Sequence, residues 1–62
     1  MNNYNQMSKK NIEEVMDSIS KNMMRLNYEA PYCNQPIRGQ ILYAVQKLRN
    51  ANEELLSLTK DI

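Results

Sequence analysis

The sequence predicts an all-α protein: an antiparallel two-helix hairpin that assembles into a helical-bundle homo-oligomer. Three observations predict it. Ile37, Ile41, Ala44, Leu48, Ala51, Leu55, Leu58 and Ile62 recur at intervals of four and three, the spacing of a helix buried along one side. Pro31 and Pro36 interrupt the chain near its middle, where they disfavour helical angles at Ala30 and Gln35. The third observation is size. A chain of 62 residues buries only about 60% of the surface its unfolded form exposes, so stability at this length usually needs disulfides, a metal or self-association. Cys33 is the one cysteine and there is no histidine, which leaves neither an internal disulfide nor a closed zinc shell. Self-association remains.

Residues 1–62 are read as a single small helical domain. Residues 1–7 are polar and show no period, so they are expected to be a flexible N-terminus. Helix one is predicted over 8–27. Asn11 and Glu14 have the spacing of a capping box at its start. Ile12, Val15, Met16, Ile19, Met23 and Leu26 form its apolar stripe, broken by Asn22. Asp17 and Lys21 stand four apart as an ion pair on the other face. Residues 28–35 form the bend, short enough to fold the helices back on each other.

Helix two is predicted over 36–60. Pro36 suits the first helical position, where its missing amide costs nothing, with Asn34 or Gln35 as the cap. Gly39 is the one interior weakness, costing roughly 1 kcal/mol against alanine, and is read as a point of close approach by a partner. At 1.5 Å per residue helix two would span about 36 Å and helix one, counted from after its Asn11 cap, about 24 Å. The apolar end of helix two, with Leu55, Leu56, Leu58 and Ile62, would then overhang into water unless a second subunit covered it. The expected oligomer interface is Ile41, Ala44, Leu48, Ala51, Leu55, Leu58 and Ile62. Small residues there admit a neighbouring helix, and the large ones fill its flanks.

Composition excludes several functions. With eight basic and seven acidic residues the formal net charge is +1, unlike that of a dedicated nucleic-acid binder. No apolar run reaches the roughly 20 residues of a membrane span, and Met1–Lys10 lacks the apolar core of a signal peptide. One unpaired cysteine then suggests a cytoplasmic protein. No histidine is present for proton transfer and no glycine-rich stretch to cradle phosphate. The pairs Glu13–Glu14 and Glu53–Glu54 point about 100° apart on a helix and form no dyad. No catalytic residues, metal ligands or cofactor are therefore assigned. Cys33 reads as a small semi-buried residue under the turn.

One constellation could bind a ligand. Arg25 and Arg38 flank the hairpin tip, Tyr28 and Tyr32 lie between them, and Tyr43 follows one turn on. Guanidinium groups, aromatic faces and the free amides of a helix start suit an anion such as a nucleotide. The leading expectation is different. A chain with excess apolar face and no catalytic groups fits a small binding protein that acts by stoichiometric occupation of a host or other partner protein. Its mode of action would be that of short phage or plasmid accessory inhibitors, and the nine Asn and five Met residues suggest an AT-rich coding sequence such as that of a low-GC bacterium or its phage. An oligomeric binder of a nucleotide-like anion at Arg25, Tyr28, Tyr32, Arg38 and Tyr43 is the alternative.

Overall fold

In a computed structural model, the backbone is described for residues 2–62 and side-chain surroundings for residues 8–62. Helix α1 runs Asn2–Glu29, a single 3-10 turn covers Ala30–Tyr32, and helix α2 runs Ile37–Lys60. The two helices lie antiparallel, pinned by Asn52 on α2. Its Nδ2 donates to the Met16 carbonyl at 3.2 Å and to Ser20 Oγ at 3.1 Å on α1.

Helix α1 starts well before the expected position, which corrects two readings. Asn11 is an interior residue and cannot be a cap. Nothing from Asn2 to Asn11 is proline or glycine, and an established helix extends at small cost per residue through such a stretch. The helix lengths also reverse. With 28 residues in α1 and 24 in α2, they span about 42 Å and 36 Å. The Asn52 register places the end of α2 beside the Ser8–Ile12 stretch of α1, so α2 does not overhang.

The bend is built from hydrogen bonds to groups that the helix ends leave unpaired. The Cys33 amide donates to the Ala30 carbonyl at 3.0 Å. The Cys33 thiol, half-buried, lies 3.7 Å from the Glu29 carbonyl. At the start of α2 the Gln35 side chain accepts from the Gly39 amide at 3.0 Å. Gly39 therefore admits a capping side chain of its own chain, not a partner: a Cβ there would stand 3.1 Å from Gln35 Oε1.

Helix α2 turns a different side to α1 than its most apolar columns suggest. Ile41, Leu48 and Leu55 are half-buried, as the seam requires. Beside them the buried or half-buried positions are Val45, Asn52 and Thr59, whereas Ala44 and Leu58 are exposed and Ala51 is half-buried. Thr59, although buried, donates its hydroxyl to the Leu56 carbonyl at 2.8 Å. On α1 the inward residues are Ile12, Met16, Ile19, Met23 and Leu26, and Val15 faces out.

Candidate binding surfaces

The hairpin tip brings some of its predicted ligand residues together and keeps others apart. Tyr28 and Tyr32, on α1 and the 3-10 turn, sit with ring centroids 5.7 Å apart and planes tilted by 50°. Both are exposed. Arg25 pairs with Glu29 one turn along α1 at 3.6 Å, in solvent. Such a pair contributes under about 1 kcal/mol, so Arg25 is available to other charges at little cost.

Arg38 is committed elsewhere. Its Nε donates to the Cys33 carbonyl at 3.0 Å and its Nη2 to the Pro31 carbonyl at 3.3 Å. The guanidinium closes the turn by satisfying two carbonyls that the broken helix leaves free. An anion would have to displace one of these bonds or use the nitrogen that remains. The Gly39 amide at the start of α2 is likewise occupied by Gln35. Tyr43 points along the outer face of α2, where Lys47 Nζ lies 4.6 Å from its ring centroid. Near the tip is an open hollow of about 290 Å³ lined by Asn27, Ala30, Pro31, Arg38 and Leu42. Of the five predicted ligand residues it contains Arg38 alone.

The second surface is the apolar flank of the hairpin. Among the described residues only two apolar side chains are buried, Ala30 at 2% and Val45 at 4% exposure, whereas ten large apolar ones are exposed. On α2 these include Ile37 and Leu58, each about half exposed, together with Leu42 and Leu56, and Ile62 follows just beyond its end. The predicted interface is thus divided. Ile41, Leu48, Ala51 and Leu55 are half-buried, and Ala44, Leu58 and Ile62 lie open. A shallow hollow of about 430 Å³ also runs along the outward side of α1, lined by Asn11, Glu14, Val15, Ser18, Ile19 and Asn22.

Two residues with structural importance escape the apolar pattern. Asn52 holds the helix register, and its Oδ1 is buried with no hydrogen-bond partner among the described residues. Val45, Asn52 and Thr59 do recur every seven residues, a signal masked by the two polar members. Gln35 caps α2 from a position outside the helix, a role that sequence spacing does offer.

Among the described residues, no cluster of three or more metal-ligating side chains occurs and no helix is long and apolar enough to cross a membrane. These surfaces belong to a two-helix hairpin whose family is not marked by similarity: comparison with protein-family models, curated proteins and solved structures finds no match.

Proposed function

We propose that the chain is a non-catalytic binding protein that self-associates through α2 and acts by occupying a partner protein stoichiometrically. The observation that supports this reading is the imbalance of apolar surface. Two apolar side chains are buried among the described residues and ten large ones are exposed, among them Ile37 and Leu58 on one side of the buried column of α2 and Leu42 and Leu56 on the other. Helical faces of this kind bind through apolar anchors spaced along the helix. The absence of histidine from the sequence, and carboxylates that stand in solvent, give no support to catalysis. The single unpaired Cys33 fits a cytosolic site of action.

Anion capture at the tip has less support, because Arg38 and the Gly39 amide are occupied by internal partners. The test of the leading reading is quantitative affinity capture from host extract with the parent chain and with Leu56→Asp. The reading expects one protein retained in stoichiometric amount by the parent and lost with the variant. Recovery of the chain alone would remove the partner-binding half of the proposal.

A further inference from the structure

We infer that two copies pack α2 against α2 antiparallel, about a two-fold axis near Arg49 and Asn50, through the column Ile37–Ala44–Ala51–Leu58. This rests on the self-association proposed above and specifies its face, direction and register. Seven residues make almost two helical turns, so these four positions form one line along α2. They border Ile41, Leu48 and Leu55 on the side away from Val45, Asn52 and Thr59. Hairpin formation uses the latter column and leaves most of the former open, with Ile37 at 51% and Leu58 at 49% exposure, Ala44 exposed and Ala51 half-buried.

The other edge of α2 is less suitable. There the series with the same spacing is Leu42, Arg49, Leu56, so a charge interrupts the apolar line. Burying an unpaired guanidinium is costly. The open column carries no charge along its length.

The elongated hairpin leaves enough surface open to accommodate one partner. Its accessible surface is 5104 Å², whereas a compact monomer of 7.3 kDa exposes roughly 4,200 Å². The excess, roughly 900 Å², is close to the ~800 Å² that each partner loses in a standard specific interface. The radius of gyration, 14.8 Å against about 10.5 Å for a compact chain of this length, reflects the same elongation.

Side-chain size and charge select the antiparallel direction. About a two-fold axis near Arg49 and Asn50, Ala44 meets Leu55 of the second copy and Leu48 meets its Ala51. Ile41 meets the second copy's Leu58. Each small residue faces a large one, which fills space evenly along the contact. Parallel pairing would set alanine against alanine and leucine against leucine, leaving gaps between bulges. Next to the open column, Lys47 and Glu54 are exposed and seven apart. The antiparallel arrangement brings Lys47 near Glu54 of the second copy, twice by symmetry, whereas parallel pairing places the two 47/54 flanks on opposite sides of the contact and forms no such pair.

The test uses the full chain and begins with sedimentation equilibrium, where a dimer mass is expected. A monomer would overturn the self-association on which the inference rests. In a Cys33→Ser background, chains carrying Lys47→Cys and chains carrying Glu54→Cys are then mixed and treated with a short bis-maleimide. Both sites are exposed, so the hairpin is retained, as circular dichroism verifies. Mass spectrometry should find the mixed 47–54 product several-fold above the two same-site products together. A dimer that gives mainly same-site products, or a statistical mixture, would overturn the register while leaving self-association standing.

Discussion

Two neighbouring columns of α2, one residue out of step, have opposite fates. Val45, Asn52 and Thr59 lie against α1, and Ala44 and Leu58 stand open with Ala51 half-buried between them. The more polar column is the one the hairpin buries. Its polar members find bonds in fixed places: Asn52 reaches Met16 and Ser20 on α1, and Thr59 reaches Leu56 on its own helix. A buried amide is tolerated only where its partners are held in register. An all-apolar column makes no such demand and suits a surface brought by another molecule. The comparison teaches that apolarity alone does not reveal which face a short chain keeps for itself.

Substitution by aspartate gives the largest contrast between the columns. Val45→Asp would bury a carboxylate in a core that supplies no more than about 3–5 kcal/mol in a chain this small. Circular dichroism should show no cooperative melt for it at any concentration. Ala44→Asp starts from open surface, so it should retain helical signal at low temperature while its sedimentation mass falls to that of one chain. Equal unfolding by both would erase the distinction between the columns.

Arg38→Ala tests whether the tip is a closure or a ligand site. Removing the bonds to Cys33 and Pro31 should cost about 1–2 kcal/mol, read as a drop in melting temperature without added ligand. Full stability in the variant would return Arg38 to the candidates for anion binding.

Asn52→Leu sharpens the account of the polar column. Leucine removes a carbonyl oxygen that is buried without a partner and adds apolar contact, so stability should rise by about 1 kcal/mol. A melting temperature below the parent's would mean that the bonds to Met16 and Ser20 outweigh that gain. Gly39→Ala should have the smallest effect. The helix gains about 1 kcal/mol in propensity, and the Gln35 cap, 3.1 Å from the new Cβ, gives back a similar amount. In a Gln35→Ala background the opposing loss is absent, and the same substitution should stabilise clearly.

Much of the fold could be read from the sequence because local chemistry set it. The prolines placed the bend, the four-and-three spacing gave α2, and the Asp17–Lys21 pair forms at 3.0 Å. Cys33 lies half-buried under the turn as its surroundings suggested. The start of α1 was not readable, since a breaker-free polar stretch has no signal that distinguishes a helix from a loose end. The side of α2 that meets α1 was hidden by Asn52 and Thr59, whose burial depends on partners 30 or more residues away for the first and on backbone back-bonding for the second. At the tip, residue types were legible but their engagements were not. Arg38 looks free for an anion until the bend brings the Pro31 and Cys33 carbonyls within its reach.

Whether the open column of α2 is a contact face is decided by sedimentation equilibrium of the full chain over a micromolar concentration range. A contact face there gives a mass of two chains that dissociates on dilution and is reduced to one by Leu58→Asp. A folded, helical monomer across the whole range would contradict it.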